Sequence, residues 1–270
     1  MNKKLPSISV IIPAYNEENN LTKLFRSLNR QKYPKNKIEY IVVNDNSDDN
    51  TSLISKKFGA KVYQVNTNDI ELNKGIGLSK AKHNYVYFLD ADMEVVDNLF
   101  FKKLAIPFLE NKDLLGSFTR EFSMNPKTKK VTNSLLRFIS YDPLQRDPLY
   151  EFISTSIEQT IVKKKISYYL CKFIPSHVPP VGRILYKKSA LMSTEIKNNK
   201  SFIDMESVEI MTRKYDGYFA YVPNARIRHY HANSLSSLIK KRLRNLNNDY
   251  LPNLENKYFL WFDPKNKKDV

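Results

Sequence analysis

Short apolar runs alternate with stretches of helical spacing over the first part of the chain, and that alternation leaves few folds open. Ile8-Ser9-Val10-Ile11-Ile12 is rich in β-branched residues and stops at Pro13, so it reads as a buried strand. Asn16 is placed to cap the following helix, and Glu17 and Glu18 suit the positive end of its dipole. Leu21, Leu24, Phe25 and Leu28 then recur on one helix face. Residues 38–43 form a second strand, and the polar residues 44–51 a turn. Leu53, Ile54 and Phe58 mark another helix, ended at Gly59. Residues 61–65 read as a third strand, 72–82 as a helix and Tyr85-Val86-Tyr87-Phe88-Leu89 as a fourth strand. This order predicts an α/β fold with a mainly parallel sheet and helices on both faces. Ligands of such sheets bind at the carboxyl ends of the strands, where the polar clusters 44–51 and 90–94 fall.

Beyond residue 97 the alternation loosens. A helix is expected over 99–109 and a strand over 115–122. From 125 to 180 prolines break the pattern. Between them Phe152, Ile153, Ile157 and Ile161 have helical spacing, as do Ile166, Tyr169, Leu170 and Phe173 beside Lys163, Lys164, Lys165 and Lys172. A strand at 184–186, a helix at 206–215, strands at 218–222 and 226–229 and a basic helix at 235–246 complete the reading.

The chain carries 44 Lys and Arg against 28 Asp and Glu, a formal net charge of +16, which implies an anionic partner. Nucleic acid is not expected, because the basic residues are spread out and no recognition module appears. Lys163 to Lys165 and the basic helix at 235–246 each accompany an apolar stripe, a pattern that suits weak contact with an anionic membrane surface. No apolar stretch approaches the roughly 20 residues of a membrane span, and no secretion signal is visible. A cytoplasmic protein, peripheral on the cytoplasmic membrane face, is the expectation. The single Cys171 excludes an internal disulfide framework.

Asp90-Ala91-Asp92 directly follows the fourth strand. Two carboxylates at i and i+2 there can share one hard cation, Mg²⁺ or Mn²⁺, and leave positions open for phosphate oxygens. Asp45 stands just after the second strand, where a carboxylate can accept from a base or from ribose; Asp48 is the better candidate for capping that turn. Alternation puts His229 and His231 on one face of a strand end. The sequence has neither a glycine-rich dinucleotide loop nor a phosphate-binding loop ending Gly-Lys-Ser/Thr.

Taken together, three segments carry a resemblance: Val10-Ile11-Ile12-Pro13-Ala14-Tyr15-Asn16-Glu17-Glu18, Val42-Val43-Asn44-Asp45-Asn46-Ser47-Asp48-Asp49-Asn50-Thr51 and Tyr87-Phe88-Leu89-Asp90-Ala91-Asp92. In order and spacing they resemble the opening of the family 2 glycosyltransferases, of GT-A fold with a Rossmann-like, mixed and mainly parallel sheet. The resemblance covers about 1–120, is looser over 180–232 and does not extend to 125–180. It implies inverting transfer of a sugar from a UDP- or GDP-linked donor with a divalent cation. It places Pro13, Ala14 and Tyr15 against the base, Glu17 near the nucleotide, Asp45 on the base and Lys74 toward the diphosphate. Asp92 would bind the metal directly, with Asp90 on the metal or the ribose; Ala91 lies between them. His229 sits where some GT-A enzymes recruit a further ligand. Asn44 departs from an acidic position of the family, and Lys74-Gly75 from its Arg-Asn.

Inversion needs a general base for the acceptor hydroxyl. The family keeps a Glu-Asp pair at the start of a late helix, before Gly-Tyr and Val-Pro. Here Asp204-Met205-Glu206-Ser207 precedes Gly217-Tyr218 and Val222-Pro223. Glu206 and Asp204 are the candidates, and Ser207 is not one, since a hydroxyl is no base at neutral pH. Alternatively Glu206 and Glu209 are only first-turn acids favoured by the helix dipole. The resemblance divides the chain into a nucleotide-sugar half (1–124), an acceptor half with the base helix (125–232) and a basic tail (233–270), within one compact catalytic domain. The acceptor remains open among glycan, lipid phosphate and protein. A non-catalytic module that binds a nucleotide sugar or glycan is the alternative that the altered Glu-Asp pair suggests.

Overall fold

The computed structural model describes residues 4–119, 122–123, 157–175, 178–179, 181–192, 204–230, 239–240 and 243. Strand β1 (Ile8–Ala14) is buried over its whole length. It pairs in parallel with β2 (Ile38–Asp45) and with β4 (Tyr85–Phe88), and β2 pairs in parallel with β3 (Lys61–Val65). The crossovers are α1 (Glu18–Asn29), α2 (Thr51–Lys57) and α3 (Ile70–Lys80). Next come β5 (Met93–Val95), α4 (Phe100–Glu110), β6 (Leu114–Phe118) and the two-residue β7 (Phe122–Ser123). The later elements are α5 (Ile157–Thr160), β8 (Ile161–Lys164), β9 (Tyr169–Cys171), β10 (Ile184–Lys187), α6 (Lys188–Leu191), α7 (Asp204–Lys214), β11 (Tyr218–Tyr221) and β12 (Ile227–His229).

Among the described residues the main sheet has the order β3-β2-β1-β4-β10-β6-β11-β9-β8, and a smaller sheet the order β5-β12-β7. β10 runs antiparallel to both β4 and β6, and β9 antiparallel to β11 and β8. The rest of the main sheet is parallel, so the expected mixed, mainly parallel sheet flanked by helices is what the chain forms.

The alternation along β1 splits the core in two. Val10 and Ile12 face one apolar cluster with Leu21, Leu24 and Phe25 of α1 and Phe100, Phe101 and Leu104 of α4. Ile11 faces the other, with Ile41, Val43, Leu78, Val86 and Phe88. α3 lies very close to the sheet at Gly77, where an added Cβ would stand 2.3 Å from Ile11 Cγ2. Gly77 is therefore a packing glycine.

Several local expectations are corrected. Asn16 does not cap α1; it takes a left-handed φ of 52° and its side chain accepts from the Asp48 N–H at 2.9 Å. Asp49, not Asp48, satisfies the turn after β2, accepting from the N–H groups of Thr51 at 2.9 Å and Glu18 at 3.0 Å. The expected strand over 115–122 is two strands in different sheets. The helical spacing of Ile166, Tyr169, Leu170 and Phe173 is coincidental, because the segment is the hairpin β8–β9. The free edge of β11 overrides the spacing: Phe219 lies opposite Cys171 and Ala220 opposite Leu170. Phe173 stacks on Phe219 with ring centroids 4.7 Å apart. Of the other helical stripe, Ile157 begins the four-residue α5, Ile161 begins β8, and Phe152 and Ile153 lie outside the described residues. The basic helix at 235–246 also lies outside them, apart from 239–240 and 243. Among the described residues no helix is long and apolar enough to cross a membrane.

Glu39 ties the parallel strands together beneath this core. It accepts from Ser9 Oγ on β1 at 2.7 Å, Lys61 Nζ on β3 at 2.6 Å and the Lys82 N–H before β4 at 2.8 Å. Burial pushes its carboxyl up, but the hydrogen bonds from Lys61, Ser9 and Lys82 win and hold it at about 2. A depressed carboxyl stabilises the fold above its unfolded pKa and loses that contribution as pH falls through the folded value. Glu39→Gln is expected to cost about 1 kcal/mol at pH 7, the low end of the range for removing one partner of a hydrogen-bonded group, because Glu39 is only partly buried. The gap from the parent should shrink as pH falls from about 4.5 toward about 2 in urea unfolding curves.

Candidate active site

The parallel register delivers the ends of β1, β2 and β4 to one edge. Two loops there are clamped to each other. The Asn16 N–H donates to Ser47 Oγ at 2.9 Å, and the Glu17 N–H to Thr51 Oγ1 at 2.8 Å. Asn44 is buried, and its Oδ1 accepts from Ser47 Oγ. Pro13 and Ala14 are buried in this clamp, while Tyr15 is 55% exposed and presents its ring outward. Glu17 is half-buried and accepts from Asn20 Nδ2 at 2.7 Å.

Asp45 ends β2 and is buried. Its Oδ1 accepts from the Thr67 N–H at 2.8 Å, and its Oδ2 from Asn73 Nδ2 at 3.0 Å and Thr67 Oγ1 at 3.2 Å. Burial pushes this carboxyl up, but the bonds from Thr67, Asn73 and Asn68 hold it below the usual carboxylate value. Thr67 and Asn73 were not among the sequence candidates. The sequence signal for them is a third polar cluster after a strand, Asn66-Thr67-Asn68-Asp69, of the same kind as those at 44–51 and 90–94. Lys74 is buried and pairs with Glu71 at 3.2 Å.

Asp90, Ala91 and Asp92 follow β4 directly. The Leu89 N–H still donates to the Ile11 carbonyl at 2.9 Å, extending the ladder to the residue before Asp90. The Met93 N–H closes a turn onto the Asp90 carbonyl at 3.1 Å. Ala91 and Asp92 are buried and Asp90 is half-buried. β12 then brings in the histidine from far along the chain. It pairs antiparallel with β5, with His229 opposite Met93, and the Tyr230 N–H donates to the Asp92 carbonyl at 2.9 Å. His229 Nε2 lies 3.2 Å from Asp92 Oδ1. One ligand atom each from Asp90, Asp92 and His229 lies within 4.8 Å of the others. Two carboxylates and an imidazole so close together form a donor set that fits a divalent cation. Arg183, absent from the sequence reading, approaches Asp90 Oδ2 to 3.8 Å.

On α7, Asp204 is the first residue and Glu206 is half-buried on the first turn. Ser207 is fully buried. Glu209 is 1% exposed and pairs with Arg213 at 2.7 Å; as the sixth residue of α7 it is a buried ion-pair partner beyond the first turn.

Residues 9–176 match the family described as Glycosyl transferase family 2. The chain belongs to that family. A 4,4'-diaponeurosporenoate glycosyltransferase of Staphylococcus haemolyticus is 44% identical over 117 residues, 43% of this chain and 28% of that one. The probable glycosyltransferase YdaM of Bacillus subtilis is 30% identical over 155 residues, 53% of this chain and 35% of that one. This family 2 chain thus spans about a third or less of the length of these curated relatives. Among solved structures, the Pyrobaculum calidifontis mannosyltransferase PcManGT in complex with GDP-Man and Mn²⁺ has a TM-score of 0.58 at 14% identity, covering 90% of this chain and 61% of that one. Staphylococcus aureus TarS 1-349 in complex with UDP has a TM-score of 0.53 at 19% identity, covering 90% and 66%. At these identities the two share the fold.

Asp92→Asn keeps the shape of the side chain and removes its charge. Mn²⁺ binding by the full chain, followed by calorimetry, is expected to be lost in this variant with an unchanged far-UV circular dichroism spectrum. Parent-like Mn²⁺ affinity in Asp92→Asn would contradict the site.

Proposed function

We propose that the chain is a metal-assisted glycosyltransferase that moves a sugar, with inversion, from a UDP- or GDP-linked donor to an acceptor hydroxyl. The observation that carries this is the convergence of Asp90, Asp92 and His229 at the carboxyl end of β4. Family membership, the GDP-Man complex of PcManGT and the UDP complex of TarS support it. Asp92 and His229 would hold the cation, with Asp90 on the cation or the ribose. Bound there, Mg²⁺ or Mn²⁺ would supply charge neutralisation for the departing diphosphate. The imidazole favours Mn²⁺ of the two, since Mg²⁺ takes oxygen ligands.

The other residues bind and orient. The exposed Tyr15 ring offers a face for the base, with Pro13 and Ala14 fixing the loop and Glu17 beside it. Asp45, held ionised by Thr67 and Asn73, would accept from the base through whatever lone-pair capacity those bonds leave. Lys74 contributes positive charge under the diphosphate while pairing with Glu71. Glu206 is the general base of choice on α7, with Asp204 second. In this reading residues 1–124 hold the donor, 125–232 the acceptor, and 233–270 form a basic tail.

The test is nucleotide release from UDP- and GDP-sugars with Mn²⁺ or Mg²⁺, which needs no acceptor. Removing a positioned base typically costs about 10²–10⁴-fold. Glu206→Gln is expected to slow transfer by that factor without weakening donor binding, while Ser207→Ala stays mild. Loss in Asp204→Asn with near-normal Glu206→Gln would move the base. A parent that binds a nucleotide sugar yet neither hydrolyses nor transfers would support the binding-module reading.

The acceptor is proposed to lie at an anionic membrane surface, because of the β8–β9 hairpin. Ile166 at its tip is fully exposed, and Val162 is 58% exposed. The Lys165 N–H closes the turn onto the Tyr168 carbonyl at 2.9 Å, and Lys163, Lys164 and Lys165 stand in sequence between the two apolar residues. Lysines on an edge strand also block edge pairing, but a bare isoleucine among them serves no such purpose. In this reading the chain is peripheral, and the cytoplasmic face is proposed as its side of the membrane. Each basic residue near such a surface contributes about 1 kcal/mol, which salt screens. Vesicles of phosphatidylglycerol should sediment the parent at low salt and release it at high salt. Ile166→Asp should weaken the binding, and equal recovery with neutral vesicles would reject the surface.

A further inference from the structure

Arg183 belongs to no motif in the sequence, yet the fold delivers it to the carboxylates. It immediately precedes β10, which pairs antiparallel with β4 so that Leu185 faces Tyr87. Continued by two residues, that register sets Arg183 level with Leu89, next to Asp90. Its backbone holds a left-handed φ of 55°, a conformation that favours glycine and is uncommon for a side chain of this size. The side chain is 13% exposed, and Nη2 stands 3.8 Å from Asp90 Oδ2. A costly backbone conformation thus holds a largely buried guanidinium beside the carboxylate pair.

A fixed cation here has two effects. It opposes a lone divalent cation at Asp90, because like charges at such distances repel. It also offers a planar donor fork to phosphate oxygens, which a guanidinium binds in pairs. We propose that Arg183 couples metal capture to the nucleotide diphosphate. Without nucleotide it neutralises Asp90 and weakens metal binding. With nucleotide it turns its donors to the diphosphate and releases Asp90 to the metal site. This rests on the metal and nucleotide reading above. Linkage makes the coupling reciprocal: the nucleotide tightens the metal by the same factor as the metal tightens the nucleotide.

The experiment is calorimetry on the full chain with MnCl₂ alone, and with MnCl₂ at saturating UDP or GDP, whichever binds. Arg183→Met should bind Mn²⁺ alone more tightly, by about 5-fold or more, the lower end of common coupling factors. The tightening of Mn²⁺ by nucleotide should fall by a similar factor. Arg183→Lys keeps the charge without the fork and should restore the weak binding of lone Mn²⁺. Arg183→Gly suits the left-handed backbone and should reproduce the methionine result in a chain that folds at least as readily. Unchanged or weaker binding of lone Mn²⁺ in both the Met and Gly variants, with the nucleotide effect intact, overturns the proposal. A parent that binds no Mn²⁺ overturns the metal reading itself, and this proposal with it.

Discussion

The site hangs on the pairing of β1 with strands on both of its sides. A strand buried over its whole length must place every backbone donor and acceptor in a ladder, because no water reaches it. β2 and β4 supply those partners in parallel, and parallel pairing forces the three carboxyl ends out of the same edge. The register then fixes what emerges: Ala14 opposite Asn44, and the ladder running on to Leu89 beside Ile11. A slip of one residue would turn Val10 and Ile12 away from α1 and α4. The carboxylates after β4 would lose their position with the core.

Much of this was legible, because the first part of the chain, from β1 to β4, is built from local signals. Buried strands read as apolar runs, the helices between them as apolar stripes, and the carboxylates as polar residues directly after strands. What was not legible depends on distant pairing. The spacing from Ile166 to Phe173 satisfies a helix on paper, but β11 offers an open ladder and stacking partners in Phe219 and Tyr221. The closeness of His229 to Asp92 could be suggested only by resemblance, since it follows from β12 folding back along β5. Arg183 has no local signal at all: its place comes from β10 entering between β4 and β6.

Backbone conformation adds a second regularity. The described residues other than glycine with positive φ are Asn16, Asn46, Asn68 and Arg183. The three asparagines follow β1, β2 and β3 in turn, and asparagine tolerates the left-handed region better than most residues. The unusual backbone is therefore gathered along the edge that carries the acidic and amide side chains. There it turns each loop sharply enough for the loops to clamp one another, as Asn16 does with Ser47 and Asp48.

The insertion of β10 has a consequence for how the chain is made. β4 and β6 are close in sequence but never touch in the sheet; the strand between them is supplied only when residues 184–187 have been synthesised. Until then a nascent chain carries two apolar strands with open ladders, the kind of edge that invites pairing with another chain. Pairings that close over long sequence separations are slow, because the loop entropy must be met before any contact forms. The segment from β1 to β4, with its local crossovers, can order early on the ribosome, while the sheet stays divided behind it. The interval before β10 arrives is the point in its life at which this protein depends most on being kept apart from its neighbours.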